Sequence, residues 1–330
     1  MKSIGILGSG TWGTALANML SKMGHKITLW SKFEKDSIRL KTEHTHPNLP
    51  GSVINDEINF VTDLKDACIG QDFVIFATPS PYVRETAEIC KAYFNPSQIL
   101  ITVSKGIEPE TLFTMSEIIK DVVGQEYKVV ALSGPTHAEE VALGLPTLIV
   151  SSCEDEDVAK LVQKEVNNDV LRVYTNADIK GVELCGALKN IIALAAGMSE
   201  GLGFGDNAKA AIITRGLAEI TRLGLAMGCQ EGTFSGLTGI GDIVVTATSN
   251  NSRNHNAGVL LGKGHSLKYT LEKVGMVVEG INALTAAKEL EEKYHVELPI
   301  IDVVYAIVKE HIKPSQAIPL LFGRKVISEF

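Results

Sequence analysis

Ile4-Gly5-Ile6-Leu7-Gly8-Ser9-Gly10-Thr11-Trp12-Gly13 opens the chain and runs into an amphipathic stretch that ends near Met23. A short apolar strand, a glycine turn and a helix in that order make a dinucleotide-binding βα unit. Gly8 makes the tight turn, Gly10 lets a pyrophosphate approach the backbone, and Gly13 lets the helix lie close to the sheet. The free N–H groups of the helix start, from Thr11 and Trp12 onward, favour phosphate charge. A GxGxxG pattern alone is weak evidence. Its weight here comes from the strand before it and the helix after it.

Further along, short apolar strands alternate with amphipathic helices. Strands are expected at Lys26–Trp30, Phe73–Phe76, Ile99–Thr102, Val129–Leu132 and Thr147–Val150, and helices at Pro81–Tyr93 and Thr111–Asp121. Such alternation implies a parallel sheet covered on both faces. From Asp178 the pattern becomes helical, with candidates at Asp178–Ser199, Asp206–Met227, Thr285–Tyr294 and Ile300–Lys309. The expected fold is α/β: a Rossmann-like, mostly parallel sheet domain over residues 1–180, then an all-α substrate and catalytic domain over residues 181–330. The boundary falls at the Asp178 helix, so the joint is stiff.

The 330 residues carry a formal net charge of −8, with 45% apolar and 21% charged residues. That balance excludes disorder and argues against a nucleic-acid partner held by a basic surface. No apolar run reaches the ~18 residues of a membrane span, and the glycine turn interrupts any signal-peptide core. The five cysteines form no CxxC pair, which fits a reducing, cytoplasmic compartment without disulfides.

The second strand ends in Trp30-Ser31-Lys32, where an NAD-specific site has Asp or Glu for the ribose hydroxyls. A 2′-phosphate would meet Ser31 and Lys32 instead. NADP(H) is therefore the expected cofactor, with NAD(H) also accepted. The alternative is that Lys32 is a solvated surface lysine.

Several segments have little purpose as structure alone: Ser104-Lys105-Gly106, Ser133-Gly134-Pro135-Thr136, Gly181 to Asn190, Gly201 to Asn207, Leu237 to Asp242, Asn251-Ser252-Arg253-Asn254 and Val277-Val278-Glu279-Gly280. On a helix, Lys189 shares its face with Cys185, Gly186, Ile192 and Ala193, mostly small residues that leave room for a ligand. It reads either as a catalytic amine or as a lysine snorkelling to solvent. Ser252-Arg253-Asn254 reads as an anion site at a helix start, or as an ordinary capped helix with a surface arginine. Asp242 offsets lysine charge, caps the helix after Gly241, or does both.

Taken together and in this order, these segments resemble the bacterial NAD(P)-dependent glycerol-3-phosphate dehydrogenases over nearly the whole chain. The resemblance implies reversible reduction of dihydroxyacetone phosphate to sn-glycerol 3-phosphate, at the entry to phospholipid synthesis. It implies Lys189 as proton donor and acceptor, and substrate contacts from Lys105, Gly134, Thr136, Lys189, Asp242, Ser252, Arg253 and Asn254. Cofactor contacts would come from Gly8, Gly10, Thr11, Trp12, Gly13, Lys32, Lys105, Ala138, Arg253, Val277 and Glu279. Thr246, one turn after Asp242, is a further candidate for the substrate hydroxyls. A homodimer is the default assembly.

Other motifs are read as structural. Glu43-His44-Thr45-His46 lies in a Pro-bounded loop without partners for a metal, Cys185 is a small packing residue, and the acids from Glu154 to Asp157 start a helix. Two rival functions are compatible with part of these residues. A β-hydroxyacid or ketopantoate-type reductase would not need the Ser252-Arg253-Asn254 site. A non-catalytic nucleotide sensor would not need Lys105, Lys189 and Asp242 together.

Overall fold

Six strands, β1 (Ser3–Leu7), β2 (Lys26–Trp30), β3 (Asn59–Val61), β4 (Phe73–Phe76), β5 (Ile99–Thr102) and β6 (Lys128–Ser133), pair in parallel in the order β3-β2-β1-β4-β5-β6. The sheet continues with β7 (Thr147–Ser152), antiparallel to β6, and β8 (Leu171–Asn176), parallel to β7. This is a computed structural model, and it describes residues 1–326 and 328. The chain order reverses across β1, which lies between β2 and β4, so the carboxyl ends of β1 and β4 bound the crevice where open α/β sheets bind ligands.

The expected strands are present, and β3 and β8 are additions. β3 has only three residues, one of them Asn59. β8 buries Leu171 and Val173 while Arg172 and Tyr174 face out. β8 is the sheet edge, and side chains from the preceding helix cover its free backbone groups. The Val173 N–H donates to Asn167 Oδ1 at 3.0 Å, and the Val173 carbonyl accepts from Gln163 Nε2 at 2.8 Å. An edge satisfied in this way cannot template another strand at those positions.

Three helices differ clearly from their expected bounds; the one expected over Thr285–Tyr294 starts at Glu279. The segment at 81–93 is α-helical only from Val83 to Cys90, with a 3₁₀ turn at each end. The next helix starts at Met115 because Thr114 and Glu117 form a capping box, while Leu112 sits at a φ of 62°.

The second body is built around the helix Ile179–Gly201. This helix is long and apolar enough to cross a membrane, contrary to the expectation of no such run, but its apolar window is wholly buried inside the protein. A helix that is apolar all round needs cover on every side, and helices Asp206–Ala226, Asp242–Thr248, Arg253–Gly262 and Glu279–Tyr294 supply it.

The tightest seam lies between Ile179–Gly201 and Arg253–Gly262. A Cβ on Gly197 would stand 2.1 Å from the His255 carbonyl oxygen, and one on Gly201 2.3 Å from that of Val259. Reciprocally, a Cβ on Gly258 would stand 2.2 Å from the Leu194 oxygen, and one on Gly262 2.3 Å from that of Met198. The contacts advance together along both chains, so the helices run parallel, backbone against backbone.

The two bodies also share packing. Ile107, in the loop after β5, belongs to the apolar core of the helical body, and Leu112 packs against it.

Candidate active site

The glycine turn occupies the β1 end of the crevice. A Cβ on Gly13 would lie 1.9 Å from the Gly8 carbonyl oxygen, and one on Gly8 2.8 Å from that of Ala77. Both glycines are thus required by the protein itself. Gly10 differs: a Cβ there would meet nothing within 4 Å. Its smallness serves the space outside, next to N–H groups that have no carbonyl one turn earlier in the helix. The turn fits a dinucleotide pyrophosphate.

Three charged side chains meet between the bodies. Lys105, after β5, donates to the Gly134 carbonyl at 3.0 Å and to Asp242 Oδ2 at 2.6 Å. Lys189 donates to Asp242 Oδ1 at 2.6 Å and to Thr246 Oγ1 at 2.5 Å. Gly186, one turn before Lys189, makes room for the Lys105 stem, whose Cγ would lie 3.4 Å from a Cβ there. Asp242 is fully buried and Lys189 nearly so.

One carboxylate shared by two ammonium groups leaves a net positive charge out of water. Burial pushes Lys189 down to about 8, against the pull of Asp242 and with the help of Lys105. Burial alone would push the Asp242 carboxyl up, but the two lysines outweigh it and hold it below the usual carboxylate range. Lys189 is therefore the cation poised to exchange a proton near neutrality.

The Ser252-Arg253-Asn254 segment starts the helix on the other side of the glycine seam. Ser252 is the cap, and its Oγ accepts from the His255 N–H at 3.2 Å. Asn254 is tied in on both sides: its amide donates to Asn190 Oδ1 at 2.9 Å, and its Oδ1 accepts from the Gly280 N–H at 2.8 Å. Since Asn190 follows Lys189, this bond holds the helix start next to the lysine pair. Arg253 is exposed and donates to the Val277 carbonyl at 3.3 Å. Glu279 reaches across to the sheet body, where it accepts from the N–H and Oγ of Ser80.

Models of the N-terminal and C-terminal domains of NAD-dependent glycerol-3-phosphate dehydrogenase match residues 3–159 and 178–319. The chain belongs to this family. A glycerol-3-phosphate dehydrogenase [NAD(P)+] of Lactobacillus delbrueckii subsp. bulgaricus is 52% identical, covering 100% of this chain and 99% of its own length. One from Listeria innocua is 46% identical, covering 98% and 97%. The crystal structure of the Coxiella burnetii glycerol-3-phosphate dehydrogenase superposes with a TM-score of 0.94 at 34% identity, covering 98% and 99%. As a glycerol-3-phosphate dehydrogenase by family, the chain is an oxidoreductase of the NAD(P)-dependent class.

Three expectations need correction within this family frame. Ser31 is buried, accepts from Ser9 Oγ at 2.7 Å and donates to the Phe33 carbonyl at 3.0 Å, so its hydroxyl is already engaged. Lys32 alone of that pair is exposed, with its ammonium over the Tyr82 ring. Asp242 is no cap: a π-turn over Leu237–Gly241 runs straight into its helix, and its carboxylate is taken by the lysines. Thr246 donates to the Asp242 carbonyl at 2.7 Å while accepting from Lys189, so it supports the amine.

Thr136 and Ala138 are half-buried; the Thr136 hydroxyl donates to the Gly134 carbonyl at 3.2 Å, and Ala138 packs against the core of the sheet body. Asn190, the partner of Asn254, was not singled out from sequence. A small buried amide beside a lysine has no distinguishing pattern until its partner is seen.

Proposed function

We propose that the chain reduces dihydroxyacetone phosphate to sn-glycerol 3-phosphate with NADPH, reversibly, as a supply of glycerophospholipid precursor. The observation carrying this reading is the buried Lys105–Asp242–Lys189 cluster joined, through Asn190 and Asn254, to a capped helix start bearing Arg253. A proton source thus lies beside an anion seat, as a phosphorylated ketone requires.

Reduction of the carbonyl builds negative charge on its oxygen. Lys189 holds the proton that this oxygen takes up, and the neutral amine regains one from water. Lys105 places a second positive charge at the same oxygen, and Asp242 keeps both lysines in place. Ser252, Arg253 and Asn254 receive the phosphate through helix N–H groups and the arginine fork. Gly134 and Thr136 border the substrate. Gly8, Gly10, Thr11, Trp12, Gly13, Lys32, Ala138, Arg253, Val277 and Glu279 line the dinucleotide path, and the reduced nicotinamide would supply the hydride. The reading extends to a homodimer, the commonest assembly, and to a cytoplasmic location, which five free, buried cysteines suit.

Mixing the protein with NADPH and dihydroxyacetone phosphate should oxidise the nucleotide, followed at 340 nm. No turnover with either NADPH or NADH would overturn the reading. The acid-free end of β2 and the exposed Lys32 give a higher kcat/KM for NADPH than for NADH, and a strong NADH preference would remove Lys32 from the site. Arg253→Ala should raise the KM for dihydroxyacetone phosphate about a hundredfold, the loss of a charge-assisted fork on phosphate. An unchanged KM would leave Arg253 as a surface residue.

A further inference from the structure

Ser80 lies in the turn after β4, opposite the glycine turn across the crevice, and is 8% exposed. Its backbone N–H donates to Glu279 Oε1 at 3.0 Å and its hydroxyl donates to Oε2 at 2.6 Å. Both carboxylate oxygens of a residue on the helical body are thus held by one residue of the sheet body. On its other side Ser80 abuts Gly106, where a Cβ would stand 2.3 Å from Ser80 Cβ and 2.5 Å from its Oγ. Gly106 follows Lys105 directly.

Glu279 also sits two residues after Val277, whose carbonyl anchors Arg253. One buried serine therefore touches the segments that carry Lys105, Glu279 and, through Val277, Arg253. Most surface ion pairs contribute little, but a part-buried carboxylate with two charge-assisted donors is held firmly.

We infer that Ser80 is a positioning residue for the cofactor: it fixes the Glu279 carboxylate at the β4 side of the crevice and so sets the wall against which the nicotinamide half binds. This rests on the functional reading above. Asn282 Nδ2, on the same helix as Glu279, also donates to Oε2 at 3.3 Å; the carboxylate is thus oriented before the cofactor arrives, and binding need not order that side chain.

The test is NADPH affinity without ketone, read by fluorescence. Ser80→Ala should raise the Kd about tenfold, the loss of one charge-assisted hydrogen bond, while Ser80→Thr, which keeps the hydroxyl, should stay within about twofold. The double variant Ser80→Ala/Glu279→Gln should bind no worse than Glu279→Gln alone, because the serine acts only through the carboxylate. If Ser80→Ala loses its fold, Glu279→Asp serves instead: the charge stays but the shorter side chain cannot reach Ser80, and the same tenfold loss is expected. An unchanged Kd in the variant tested, or additive losses in the double variant, overturns the assignment. Wild-type protein that binds neither NADPH nor NADH would overturn the functional reading itself.

Discussion

Lys189→Ala should lower kcat for ketone reduction by at least about a thousandfold, within the range that one positioned acid contributes, and leave the NADPH Kd within about twofold. Lys189 contacts Asp242 and Thr246 and none of the residues of the glycine turn, which is why binding and chemistry separate. Retention of a tenth of the wild-type kcat would remove Lys189 as the proton donor. The pH profile supplies an independent check. Reduction needs the ammonium form, and Lys189 is held down to about 8. Turnover in that direction should therefore fall as pH rises through about 8, whereas glycerol phosphate oxidation, which needs the neutral amine, should rise over the same interval. A flat profile across that range would mean that another group carries the proton.

Asp242→Asn should cause the second large loss, and a different one. The carboxylate is the only acid bonded to either lysine among the described residues. Removing one partner of a buried ion pair costs about 3–5 kcal/mol, because the remaining charge is left unpaired out of water. The variant avoids part of that cost by releasing a proton, so Lys189 should be neutral at still lower pH. Three results are expected together: a lower Tm, a fall in kcat for reduction at pH 7.5, and a shift of the falling limb of the pH profile toward acid. An unshifted profile with an unchanged Tm would mean that the lysines do not depend on Asp242.

The legibility of the chain varied with the physics behind each element. The β1 turn was plain because tight packing demands glycine at Gly8 and Gly13 and a dinucleotide pyrophosphate needs the space left open at Gly10, all at a fixed spacing. The central strands were plain because a parallel sheet buried on both faces writes continuous apolar runs such as Phe73–Phe76. At the margins that cause disappears. β3 is too short to write a run, and β8 is half exposed, so both were missed. The antiparallel pairing of β6 with β7, joined through the helix Ala138–Ala142, is a matter of strand direction, which periodicity does not encode.

The candidate site followed the same rule. Lysines and acids that belong together were recognisable as a resemblance in order. The distinction between Asp242 as a cap and Asp242 as a counter-ion depended on two lysines that arrive from distant elements. The Ser31 hydroxyl is consumed locally, by Ser9 and Phe33, a competition invisible in the sequence. Ser80 carries no motif, and Asn190 closes the Gly181–Asn190 segment without a role of its own until its partner is seen. Their meaning lies in Glu279 and Asn254, 199 and 64 residues away.

The glycine seam between helices Ile179–Gly201 and Arg253–Gly262 has a consequence for substrate length. Lys189 projects from one helix and the Ser252-Arg253-Asn254 seat begins the other, and the glycine contacts together with the Asn190–Asn254 hydrogen bond fix their separation. The seam is a caliper with fixed jaws. On the proposed function it would measure the carbon chain between a phosphate and a reducible carbon, with the backbone contacts and the Asn190–Asn254 pair setting the reading. Widening it for a longer sugar phosphate would require sliding one helix by a full turn along the other, about 5.4 Å, a step too coarse to add one carbon.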